Sequence, residues 1–128
     1  MEKEEVKVEV TERIKTFEDA QKETGRPDVP DFSNLPPDLQ AYFQAQYKII
    51  VVVEALNEGW KPNWEDGNEA KYFPWFYMSG GVFVFDSTLY CYSFATAGDG
   101  SRLCFKTRKL ARYAGEQFLD IWTAIIQK

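Results

Sequence analysis

Five cations fall within eleven residues near the end of this chain: Arg102, Lys106, Arg108, Lys109 and Arg112, with no acid among them. They straddle Thr107, a residue type that caps helices, so they gather at an expected helix start, where unpaired N–H groups favour anions. Beside exposed rings such a patch suits single-stranded nucleic acid, whose phosphates meet the charge and whose bases stack. The plainer reading is a solvated helix face, partly neutralised by Glu116 one turn beyond Arg112. Rings are abundant upstream, where Trp60, Trp64, Tyr72, Phe73, Trp75, Phe76 and Tyr77 crowd together. Flat rings bind bases or sugars through their faces, but packing a core between sheet and helices is their commoner use. Trp64 and Trp75, each beside a turn or a proline, are expected to stay partly exposed, and with Trp60 they are the candidate aromatic contacts.

Other chemistry is thinly provided. The chain has no histidine, which removes Ser-His-Asp and Cys-His catalysis and every imidazole metal site. Cys91 and Cys104 are too few for a structural zinc site or a disulfide framework and read as buried thiols. Glu65, Asp66 and Glu69 bring carboxylates together, but their spacing does not match an EF-hand loop, and a solvated turn is the expectation. Glu54 and Glu58, one helical turn apart, form a weak pair, one of which is expected to meet Lys61. No catalytic residue, metal ligand or cofactor follows from these patterns. The chain reads as a non-enzyme, with acid–base catalysis by carboxylates a distant third possibility.

The elements that position these residues start from Asp38 to Glu58. Leu39, Tyr42, Phe43, Gln46, Ile49, Ile50, Val53 and Leu56 recur at helical spacing, after Pro36 and Pro37 and before Gly59. Five β-branched residues, 49 to 53, argue for a strand, but such a run also marks the all-round-buried middle of a central helix. Upstream, Val6, Val8 and Val10 alternate as a short edge strand would, and Thr16 with Asp19 forms a capping box for a helix from Phe17 to Thr24, stopped by Gly25. Arg26 to Pro37 holds four of the six prolines and reads as a connector tacked down by Phe32 and Leu35. Tyr72 to Met78 reads as an irregular strand interrupted at Pro74. Gly80 and Gly81 open a β region, Val82 to Phe94, broken or bulged near Asp86 and Ser87. The glycines of residues 97–100 suggest a hairpin pairing Leu89 to Phe94 with Ser101 to Phe105, with Cys91 opposite or diagonal to Cys104. Thr107 caps one last helix to about Ile126, with Gly115 placed to let another backbone, such as the central helix, come close.

These elements predict an α+β fold: a small antiparallel β-sheet packed by a central helix and a C-terminal helix, with a short N-terminal helix. At 128 residues the chain is expected to be a single domain, 1–128, with 1–9 frayed and 26–37 as the Pro-rich connector. Its net charge of -5 weighs weakly against coating nucleic acid. No apolar run approaches a membrane span, and MEKEEVKVEV has no apolar leader segment, so no membrane contact is expected and the cytoplasm is the default.

Several phrases resemble a family of small uncharacterised proteins encoded in phages, prophages and mobile elements of gut Bacteroides-type bacteria. They are TERIKTFEDAQKETG (11–25), LPPDLQAY (35–42), ALNEGWKPNW (55–64), KYFPWF (71–76) and GSRLCFKTRKLARYAGEQF (100–118). The resemblance favours the helix for Asp38 to Glu58, makes Cys104 and Gly115 part of the last motif, and places the chain in a bacterial host cytoplasm. It brings no catalytic or ligand residue. It implies a provenance and says little about activity. With no histidine, no catalytic motif and one aromatic-rich domain, the leading expectation is a non-catalytic accessory protein of a phage or mobile element acting through a protein partner or self-association, with nucleic acid the alternative partner.

Overall fold

Helix α3, Pro37–Asn57, is the longest helix in the computed structural model, which describes residues 8–96, 98 and 100–127, and it packs against helices that precede and follow it in the chain. Its two halves differ. Leu39, Tyr42 and Phe43 in the first turns stay exposed, whereas Val51, Val52 and Val53 are buried in succession, along with Ile49, Ala55 and Leu56. Helix therefore prevails over strand for the β-branched run because neighbours cover most of that half, leaving only the Ile50 and Glu54 side partly open. α3 ends on Glu58 at φ 50 and Gly59 at φ 84. For a non-glycine residue that conformation costs about 1–2 kcal/mol. The Glu58 carboxylate, 3.1 Å from Arg13, helps to hold it there.

Before α3 come α1, Val10–Arg13, and α2, Phe17–Thr24. Val10 begins α1 rather than ending an edge strand, and residues 1–7 of that expected strand lie outside the described residues. The α2 capping box is present in both directions, Asp19 N–H to Thr16 Oγ1 and Thr16 N–H to the Asp19 carboxylate, and Gly25 stops the helix at φ 72. Phe17 sets α2 against α3 with its ring edge-on to Tyr47, 6.2 Å between centroids. The connector is held by the Tyr47 hydroxyl, which donates to the Pro27 carbonyl, and by Phe32 against Phe43.

The sheet is one antiparallel ribbon of β1, Lys71–Ser79, and β2, Val82–Cys91. Gly80 and Gly81, at φ 60 and 83, are its two-residue turn rather than the opening of a separate β region, because both central positions of such a turn require positive φ. The expected irregularity is a bulge: Trp75 faces Ser87 and Phe76 faces Phe85, leaving Asp86 as the extra residue. Pro74 does not interrupt β1. Tyr72 exchanges both backbone hydrogen bonds with Phe105, so positions 72 and 74 point their amide positions away from β2, where proline sacrifices no ladder bond.

The hairpin expected between Leu89 to Phe94 and Ser101 to Phe105 does not form. Leu89 to Cys91 pair back onto Lys71 to Phe73, and residues 101–103 are a turn in which Leu103 N–H donates to Gly100 O. A strand closed by a two-residue turn is the cheaper partner in loop entropy. Ala97 and Asp99 of the expected turn lie outside the described residues. The expected final helix is also two: α4, Arg108–Gln117, capped by Thr107, and α5, Leu119–Ile126, separated at Phe118. At the break the Ala114 carbonyl accepts from Phe118 N–H and also from Trp122 Nε1, which seats the Trp122 ring beside Phe76 at 5.7 Å. Gly115 does allow a close approach, but of the ribbon, not of the central helix. A Cβ there would lie 2.5 Å from Phe85 Cδ2 and 2.9 Å from Pro74 Cβ.

Two stability predictions follow from these contacts. Alanine in place of glycine normally favours a helix by about 1 kcal/mol, and overpacking costs about 1–3. Gly115→Ala should therefore lower stability in urea denaturation, and a gain would show that the ribbon is not pressed on α4. Asp19 is held below its ordinary value of 3.8, first by the Lys15 N–H and then by Thr16. A depressed folded-state value means that its contribution is full above 3.8 and lost as pH falls through the lowered value. Asp19→Ala should accordingly lower the melting temperature at neutral pH and match the parent protein in strong acid; a difference independent of pH would contradict this.

Candidate functional site

Two enclosed polar side chains fix the loops around the candidate residues, and sequence reasoning did not single out either. Lys71, fully buried, donates from Nζ to the carbonyls of Asn63 (2.6 Å), Glu69 (3.0 Å) and Asp66 (3.3 Å), and lies 5.2 Å from the centre of the Trp64 ring. Asn57, at the end of α3, donates Nδ2 to Cys104 O (2.9 Å) and accepts Lys106 N–H at Oδ1 (3.1 Å). Nothing in their immediate sequence marks them, since an isolated lysine or asparagine is ordinarily a surface residue.

The five cations do not form one patch. Lys109 pairs with Glu9 at 3.1 Å and Arg112 with Glu116 at 3.0 Å, the latter pair as the spacing suggested. Arg108 lies over the Tyr72 ring at 5.6 Å, and with Arg112 it borders a hollow of about 190 Å³ facing the β2 bulge. Lys106 contributes its backbone N–H to Asn57. Arg102 lines a separate groove of about 510 Å³ with Arg26, Glu54, Trp60, Lys61 and Ser101 among its walls. No linear pattern joins positions 26, 61 and 102, so that groupings of this kind are visible only after folding.

The three tryptophans also part company. Trp75 is 51% exposed, while Trp60 and Trp64 are half-buried, Trp60 in the groove and Trp64 donating Nε1–H to Ser101 Oγ. Trp75 lies on the ribbon face turned away from Gly115, because Tyr72, Pro74 and Phe76 alternate onto the α4 and α5 side. On that open face Tyr77, Val82 and Leu89 are also exposed.

Of the candidate carboxylates, Asp66, Glu69, Glu54 and Glu58 are engaged in structure, while Glu65 is exposed. Glu69 accepts the Asn63 N–H at 2.7 Å, and Asp66 accepts the Asn68 N–H at 2.9 Å. Glu54 and Glu58 meet arginines rather than Lys61: Glu54 takes Arg26, and Glu58 shares Arg13 with Glu23. Hydrogen bonds from Arg13 hold the Glu23 carboxyl below the usual range, and Glu23 and Glu58 raise the Arg13 guanidinium above its own. Among the described residues no group of three or more acids and cysteines is placed to hold a metal ion, and no helix is long and apolar enough to cross a membrane.

Comparison of the chain with protein families, curated proteins and solved structures finds no match.

Replacing Lys71 by methionine keeps the apolar stem but removes the ammonium from three carbonyls, of which, among the described residues, Asn63 O and Asp66 O keep a backbone donor and Glu69 O does not. The expected loss is about 1–3 kcal/mol in urea denaturation, the cost of an unsatisfied buried polar group. A red shift of tryptophan emission should accompany it as Trp64 loosens. Unchanged stability and emission would mean that the ammonium does not organise the 63–69 loop.

Proposed function

We propose that this chain is a non-catalytic accessory protein, of phage or mobile-element origin and acting in a bacterial host cytoplasm, that works through protein contact made by the β1–β2 ribbon. The observation that carries this reading is the open ribbon face. Trp75, Tyr77, Val82 and Leu89, each between 38% and 58% exposed, are large apolar residues on one side of a two-stranded sheet. Contiguous exposed apolar surface of this kind is typical of interaction sites.

Of the two protein-contact routes, self-association has the more specific support. The outer edge of β1 is bridged by Phe105 and blunted by Pro74, whereas β2 has neither a bridge nor a proline and is interrupted by the bulge at Asp86. Among the described residues, none of positions 82–90 makes a backbone hydrogen bond outward from the ribbon, and the only charge there is Asp86 at the bulge. Two copies of β2 related by a two-fold axis would extend the sheet and bring both open faces together. Single-stranded nucleic acid at the start of α4 is less well supported, since Lys109 and Arg112 already carry acids and Arg102 lies elsewhere.

Sedimentation over a concentration series tests the reading. Self-association of the parent chain, abolished in Trp75→Glu and in Leu89→Lys with circular dichroism unchanged, is the expected result. A parent chain that sediments as a monomer throughout would overturn it.

A further inference from the structure

The groove beside the end of α3 carries charge opposite to that of the molecule. The chain bears a net charge of -5, yet the groove presents Arg26, Lys61 and Arg102 against a single carboxylate, Glu54. That carboxylate is taken up by Arg26 through hydrogen bonds of 2.9 and 3.3 Å. Among the described residues Lys61 and Arg102 make no ion pair, so two cations face the groove with no described carboxylate paired to them. The rest of the wall is apolar, with Trp60 and Pro62 from the loop and Ile50 and Val53 from α3. Ser101 accepts the Trp64 indole N–H at Oγ, which leaves its own proton to donate. The floor is fixed, because both amide atoms of Asn57 are bonded to the 104–106 segment.

We propose that this groove binds a nucleotide, with Lys61 and Arg102 on the phosphate groups and the Trp60 ring against the base. A volume of about 510 Å³ lies within the ordinary range for small-ligand sites, roughly 300–1,000 Å³. A flat ring beside such cations is the pairing that stacks a base and neutralises its phosphate. A free nucleotide and one residue of a single strand offer the same chemistry. The site shares no residue with the ribbon face, so it stands apart from the protein-contact reading.

Calorimetric titration of the full chain with adenosine diphosphate, pyrophosphate and a short oligodeoxyadenylate tests this. Saturable binding is expected, weakened about tenfold or more by Lys61→Glu combined with Arg102→Glu, and unchanged by Arg112→Glu outside the groove. Trp60→Ala should weaken the diphosphate nucleotide but not pyrophosphate, and the charge variants test the site even if that variant fails to fold. Tighter binding of adenosine diphosphate than of the strand identifies a free nucleotide as the ligand, and the reverse order identifies a single strand. Absence of saturable binding by both nucleotide probes, pyrophosphate binding as tight as the nucleotide, or an equal loss in Arg112→Glu would each overturn the proposal.

Discussion

The fold depends on the amide of Asn57. It sits in the last turn of α3, 3% exposed, with both ends engaged by the backbone on either side of Phe105. Phe105 in turn exchanges two backbone hydrogen bonds with Tyr72, and the residue before Tyr72 is the buried Lys71, whose ammonium gathers the 63–69 carbonyls. A continuous series of satisfied polar contacts thus runs from the central helix through the segment before α4 into the sheet and its preceding loop. Apolar packing is tolerant of small slides, whereas a buried donor or acceptor that loses its partner costs about 1–3 kcal/mol. These contacts therefore fix the relative placement that the core alone would leave loose.

Local signals in the sequence were reliable wherever the decisive interaction was local. The Thr16 and Asp19 box, the Gly25 stop, the Thr107 cap and the bounds of α3 all depend on residues within a turn of each other. The place of the irregularity at Asp86 was legible because short polar residues interrupt an otherwise apolar strand, but whether it was a bulge or a turn was not. Pairing partners were misread. Gly80–Gly81 between two apolar runs is itself a two-residue hairpin signal, and reading it as the opening of a β region gave the turn to the 97–100 loop instead. The break at Phe118 was hidden: it accompanies a side chain, Trp122, donating back to the Ala114 carbonyl, within a stretch that holds neither proline nor a glycine at the break.

The candidate site shows the same division more sharply. The five cations are adjacent in sequence, yet once α4 winds they face different neighbours, and only Arg102, which precedes the helix, joins the groove. Its partners there come from the start of the connector and from the loop after α3, brought near by the ends of elements rather than by spacing. Arginines elsewhere serve internal ties. Arg13 joins α1 to Glu23 of α2 and to the C-cap of α3, and Arg26 ties the connector to α3. Being partly exposed, such pairs contribute little stability each, but they fix where the connector lies.

A two-stranded ribbon is marginal by itself, so its attachment decides what its surface is for. One face is fastened firmly: Gly115 lets Phe85 and Pro74 approach α4 at distances no other residue would permit, Phe76 packs on Trp122, and Arg108 covers Tyr72. That attachment needs the residues at alternate positions only. Trp75, Tyr77, Val82 and Leu89 point the other way, and the fold would be served as well by threonine or lysine at each. Large apolar side chains where this attachment does not require them, next to an edge with neither a bridge nor a proline, are the observation on which the proposed contact with another protein surface rests.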